Sequence, residues 1–182
     1  DASLLSEKRL KLTKDYAKYH YGIDSYHLID PSMIVIHYTG LDSIKFSLNV
    51  FKPDVINPGR VKLVSYGKVN VGAHFLVAQD GTIYSMLPTT VMGRHIMGFN
   101  HLSTGIENAS SGPDKMTKEQ LLANVKLVRY LLHKHQTIKY LFGHLEYMNR
   151  TLPHYKLYKE LDKTYRPMIK IDPGWYFMKD LR

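Results

Sequence analysis

Three side chains far apart in the chain have the types needed for a hydrolytic metal site. His37 ends the apolar run Met33-Ile34-Val35-Ile36, His144 follows the short apolar stretch Ile138–Phe142 and Gly143, and Asp172 closes the segment Met168–Ile171 just before Pro173-Gly174. Two imidazoles and one carboxylate suit a catalytic zinc, because they leave the fourth tetrahedral position open for water. Such an ion lowers the pKa of water toward about 7 and so supplies a nucleophile at neutral pH. Spacing alone does not compel this reading. The chain has 10 histidines, a histidine at a strand end is commonly a hydrogen-bonded structural residue, and aspartate before Pro-Gly commonly just forms a turn.

The elements that would position these groups can be read from the pattern. The β-branched apolar run ending at His37 predicts a buried central strand. Residues 73 to 87 predict a hairpin around Asp80-Gly81, residues 104 to 108 a short strand, and residues 43 to 51 a helix stopped by Pro53. Thr117 and Gln120 fit a capping box, followed by Leu121, Val125, Val128 and Leu132 at helical spacing and an end near His135. Residues 3 to 19 predict a helix with Leu4, Leu5, Leu12, Tyr16 and Tyr19 on one side and Gly22 as its stop, and residues 153 to 165 a further helix. Strands alternating with helices indicate an α/β fold: a single domain with a central mixed sheet flanked by helices. Residues 1–30 are expected to be an N-terminal helical extension, and residues 31–182 the domain proper. In such sheets ligands collect beyond the strand ends, where residues 37, 144 and 172 could converge.

Bulk properties narrow the class. Lys and Arg number 25 against 16 Asp and Glu, a formal charge of +9, which favours a polyanionic partner. No Arg-rich tract or nucleic-acid-binding motif accompanies the charge, so no specific nucleic acid is expected. There is no cysteine, which excludes disulfides and thiolate metal sites. No apolar run approaches the roughly 20 residues of a membrane span. The tripeptides Asn108-Ala109-Ser110 and Asn149-Arg150-Thr151 fit a glycosylation pattern that is common by chance.

Ile34-Val35-Ile36-His37-Tyr38-Thr39-Gly40 resembles the first metal strand of the zinc N-acetylmuramoyl-L-alanine amidases, the family of bacterial wall-recycling amidases, phage T7-type lysozyme and animal peptidoglycan recognition proteins. Further segments are similar in the same order: Ala73 to Val77 with Asp80 to Tyr84, Arg94-His95 where the family often has Trp-His, Gly105-Ile106-Glu107-Asn108, Gly143-His144, and Lys170-Ile171-Asp172-Pro173-Gly174. The resemblance implies one zinc per chain, held by His37, His144 and Asp172. It implies Glu107 as general base toward the attacking water and as proton carrier to the leaving amine, Lys170 as stabiliser of the developing oxyanion, and His95 as a substrate contact near the scissile bond. The implied reaction is hydrolysis of the amide between N-acetylmuramic acid and L-alanine in peptidoglycan or a muropeptide; the alternative is a peptidoglycan-binding module without catalysis. Where some relatives carry a catalytic tyrosine this chain has Ala73, so the Glu107 version of the machinery fits better.

The interval from His144 to Asp172 is longer than in recycling amidases and phage lysozymes. The extra segment, Asn149 to Pro167, is a candidate wall of the groove, and it leaves Asp162 or His154 open as an alternative third ligand; His133, His135 and His154 otherwise read as surface residues and His74 as structural. The chain opens on Asp1. With the N-terminal helix, that leads to the expectation of an exported, extracytoplasmic protein acting as a monomer.

Overall fold

A computed structural model describes residues 2–182. The strands are β1 (Met33–Tyr38), β2 (Phe75–Val77), β3 (Ile83–Ser85), β4 (Ser103–Asn108) and β5 (Tyr140–Gly143); the helices are α1 (Glu7–Tyr21), α2 (Ile44–Phe51), α3 (Val61–Val64), α4 (Lys118–Lys134) and α5 (Trp175–Leu181). The strands form one sheet in the order β3-β2-β4-β1-β5. β1 is parallel to both β4 and β5, β2 is parallel to β4, and only β3, at one edge, runs antiparallel. The expected mixed sheet flanked by helices is therefore present. No helix of the described residues is long and apolar enough to cross a membrane.

β1 is central because Met33 to Ile36 are all apolar and wholly buried. Successive side chains point to opposite faces. Ile34 and Ile36 pack with Ala123, Leu127 and Leu131 of α4 and with Phe177 and Met178 of α5. Met33 and Val35 pack on the other face with Ile96, Phe99 and Phe142. His37 continues the second series, so it emerges on the face away from α4. Its cross-strand partner on β4 is Glu107, just as Gly105 is the partner of Val35.

The capping box of α4 is formed by Thr117 and Gln120. Its buried face, however, is Gln120, Ala123, Asn124, Leu127 and Leu131, while Leu132 is exposed and Leu121, Val125 and Val128 only flank the core. The offset arises because two amides are buried with partners: Gln120 Nε2 donates to Val77 O and Ala109 O, and Asn124 Nδ2 donates to Asn108 Oδ1 at 2.7 Å. A count of apolar residues cannot register them. In α1 the same effect recurs. Gly22 ends the helix at φ 68°, but Arg9, Thr13, Ala17 and His20 are buried with Tyr16, whereas Tyr19 faces solvent and Leu5, expected within the helix, lies exposed ahead of its Ser6 cap.

The helix expected over residues 153 to 165 is not formed. The segment makes one 3-10 turn over Pro153–Leu157 and then runs irregularly. Individual tertiary anchors override local propensity here. His154 stacks on Phe142 at 4.0 Å between centroids, Tyr165 stacks on Tyr66 at 3.9 Å, and Glu160 pairs with His20 of α1 at 2.8 Å. Backbone bonds Lys159 N→Gly98 O and Leu161 N→His20 O complete the attachment. The extra segment is thus fastened to α1 and to the face of the sheet that carries His37.

Candidate metal centre and substrate cleft

The parallel strands end together, and their ends carry the chemistry. β1 delivers His37 at its C-terminal end. β5 stops at Gly143, and His144 opens a 3-10 turn out of the sheet. Glu146 Oε2 closes that turn by accepting from the Gly143 N–H at 2.8 Å and from Arg182. Gly143 has no room for a side chain, since a Cβ would lie 2.7 Å from Pro173 Cδ. The loop bearing Asp172 docks against the same turn, with Leu145 N donating to Asp172 O at 2.8 Å.

This brings three donors together. His37 Nδ1 lies 2.9 Å from His144 Nδ1 and 3.2 Å from Asp172 Oδ2, and His144 Nδ1 lies 3.0 Å from the same oxygen. Ligands bonded at about 2.0–2.1 Å to a tetrahedral zinc are about 3.3 Å apart, so a slight spreading of this triangle would hold such an ion. Among the described residues, this is the group of three that could hold a metal. Burial pushes the His144 imidazole down to about 4, assisted by His37 against the opposing pull of Asp172. The neutral ring is the form that ligates. Burial opposes the charge on Asp172, but His144 and His37 outweigh it and hold its carboxyl well below the usual range.

His95 lies behind His37. Its Nδ1 is 3.0 Å from His37 Nε2, and its Nε2 is 3.4 Å from Ser103 O and 3.3 Å from Ser103 Oγ. If His37 presents a bare Nδ1 to a metal, its Nε2–H donates to His95 Nδ1, and His95 Nε2–H donates to Ser103. The ring fits only because residue 105 is glycine: a Cβ there would lie 2.8–2.9 Å from three His95 ring atoms. Asn100 Oδ1 accepts from the backbone N–H groups of His95 and Ile96, both at 2.8 Å, and so sets the loop.

The donors open into a cleft of about 230 Å³ whose walls include His95, Glu107, Lys170, Arg60 and Arg166. Glu107 is buried, and its Oε2 has no hydrogen-bond partner. Burial pushes its carboxyl up to about 7, partly countered by His37. An acceptor of this kind is equipped to take a proton from a molecule that enters the cleft. All six residues singled out from sequence therefore border one cleft. Arg60 and Arg166 were not among them; surface-type arginines carry no local signal, and only folding brings α3 and the extra segment to face each other. Neither Asp162 nor His154 joins the donor group. Asp162 accepts from Thr164 and Tyr19, and His154, expected at the surface, is buried against Phe142.

A family model described as N-acetylmuramoyl-L-alanine amidase matches residues 27–174. The chain belongs to the N-acetylmuramoyl-L-alanine amidase family. Solved structures share the fold of this family member. The selenomethionine derivative of AmpD superposes with a TM-score of 0.57 at 19% identity, covering 86% of this chain and 89% of that one. The peptidoglycan recognition protein SA of Apis mellifera gives 0.53 at 20% identity, covering 73% and 82%. Peptidoglycan recognition protein LE, solved in complex with tracheal cytotoxin, gives 0.52 at 22% identity, covering 72% and 79%. No curated protein matches the chain.

Proposed function

We propose that the protein is a zinc-dependent N-acetylmuramoyl-L-alanine amidase that hydrolyses the amide between the lactyl group of N-acetylmuramic acid and L-alanine of the stem peptide. The observation that carries this reading is the triangle of His37, His144 and Asp172 donors, no more than 3.2 Å apart, with the unpartnered Glu107 oxygen in the same cleft. His37, His144 and Asp172 would hold one zinc. The bound ion supplies Lewis-acid charge, which acidifies water and polarises a carbonyl.

The remaining chemistry falls to the chain's own groups. Glu107 takes the proton of the attacking water and passes it to the departing alanine nitrogen, the two transfers that amide hydrolysis requires. Lys170 reaches into the cleft from the strand-like segment that also carries Asp172 and offsets the negative charge that develops on the carbonyl oxygen. His95 holds His37 in the ligating tautomer and, from the cleft wall, contacts substrate near the scissile bond. We take residues 1–30 as an extension that clamps the extra segment, and residues 31–182 as the amidase domain. The same reading sets the protein to work as a monomer on peptidoglycan outside the cytoplasmic membrane, where a charge of +9 favours an anionic polymer.

Digestion of purified peptidoglycan with zinc-loaded protein should release stem peptides with a new L-alanine amino terminus. Absence of that product, where a control amidase yields it, would leave only the alternative of a binding module, which would need the cleft but not the complete donor triangle.

A further inference from the structure

Lys170 borders two cavities. One is the cleft already described; the other, about 350 Å³, lies beyond it and is lined by Leu145, Ile171, Trp175, Tyr176 and Phe177, with Asp114 as its acidic group. α5 turns Phe177, Met178 and Leu181 into the core, which leaves the rings of its first turn outside: Trp175 is 62% exposed and Tyr176 is 83% exposed. Ile171 beside them is also exposed, a consequence of alternation, because Lys170 and Asp172 take the inward side of that segment. The result is an apolar, aromatic face adjoining the reacting groups, and patches of this kind mark binding surfaces.

The two cavities differ in charge. Besides the shared Lys170, the first presents Arg60 and Arg166, while Arg94 in the same wall is buried and committed to the carbonyls of Leu63, Gly67 and Val69. The second presents no other cation. A substrate cut at an amide between sugar and peptide must leave the reacting centre in two directions, and its two arms differ in the same way. The stem peptide carries free carboxylates, which suit arginines. The glycan arm is uncharged once its lactyl group is in amide linkage, and its rings offer C–H faces and acetyl methyls that pack on aromatic rings. On the reading of the protein as a muramoyl amidase, we propose that Trp175 and Tyr176 form a sugar-binding platform for the N-acetylated glycan strand next to the scissile bond, with the stem peptide directed into the arginine-lined cleft. The shared Lys170 makes the two sites continuous, so one extended substrate occupies both.

Trp175 is the single tryptophan of the chain, so its emission reports this cavity alone. Titrating zinc-loaded full-length protein with the tetramer of N-acetylglucosamine should shift or quench that emission saturably, and the dipeptide L-Ala-γ-D-Glu should not. Tyr176→Ala, which keeps the reporter, should weaken tetramer binding about tenfold. Trp175→Ala should raise KM for polymeric peptidoglycan by a similar factor, with the loss in KM and not in kcat. Because both rings are exposed, circular dichroism of the variants should match the parent. The proposal is overturned if the tetramer leaves the emission unchanged, if the dipeptide rather than the tetramer moves it, or if it shifts with protein concentration alone, which would assign the face to a second copy of the chain. The tetramer contains no scissile amide, so the titration decides the sugar site even where no amide hydrolysis is found.

Discussion

Lowering the pH perturbs a buried histidine that accepts from the Gly105 N–H, beside the glycine against which the His95 ring of the cleft wall packs, and the size of the effect follows from its surroundings. The His74 ring is completely buried; Nε2–H donates to Val91 O at 2.9 Å, and Nδ1 accepts from the Gly105 N–H at 2.9 Å. Both nitrogens are thus committed in the neutral state, and a second ring proton would face another N–H. Burial pushes its pKa from 6.5 down to about 4. In the unfolded chain the ring takes up its proton near pH 6.5, whereas the folded protein resists until near pH 4. The unfolded state therefore binds more protons across that window, and stability falls as the pH drops through it. A gap of about 2.5 units corresponds to about 3 kcal/mol in total, with about 1 kcal/mol lost by about pH 6 and about 2 kcal/mol by about pH 5. Urea unfolding of metal-free protein, followed by far-ultraviolet circular dichroism, measures this when repeated on His74→Gln. Other buried histidines add to the slope of both proteins, so the difference between them isolates residue 74. The stability advantage of the parent over the variant should shrink by about 2 kcal/mol between about pH 7.5 and about pH 5. An advantage independent of pH would refute the argument that this ring must remain neutral to fold.

Glu107→Gln should lower the rate of amide hydrolysis by about 10²- to 10⁴-fold, the span of general acid–base contributions, while zinc content by elemental analysis stays at that of the parent; undiminished turnover would remove Glu107 from the mechanism. Dialysis against a chelator should abolish activity and one equivalent of zinc should restore it, with a rise in Tm of about 10 °C when zinc stands about 1,000-fold above its Kd; Asp172→Ala should lose both responses. Gly105→Ala should push the His95 ring away from His37 and weaken zinc binding about 10- to 100-fold, and His95→Ala should do the same. A competitive chelator titration reads both, and parental affinity in either variant would show that His37 needs no support from His95.

Local chemistry was sufficient to predict elements whose cause is local. The apolar β-branched run before His37, the Thr117–Gln120 capping box and the Gly22 stop each act within a few residues, and each element formed where its signal lay. Prediction was weaker wherever burial depends on a distant partner. Arg9, Gln120 and Asn124 are buried because other segments satisfy their polar groups, so the apolar count misjudged which face of α1 and α4 turns inward. The helix expected over residues 153 to 165 failed for the same reason: His154, Glu160 and Tyr165 are each held by a residue remote in sequence.

By itself the sequence determined the residue types able to make a metal centre, the family motifs in their order, and an α/β alternation that puts strand ends together. Tertiary structure alone decided that His37, His144 and Asp172 share one small volume, that His95 stands behind His37, that Arg60 and Arg166 line the same cleft, and that Trp175 and Tyr176 remain uncovered beyond Lys170. The physical reason is range. Strand and cap signals are contained in neighbouring residues, whereas convergence of side chains depends on sheet order, register and the packing of loops, and these exist only once the chain has closed on itself.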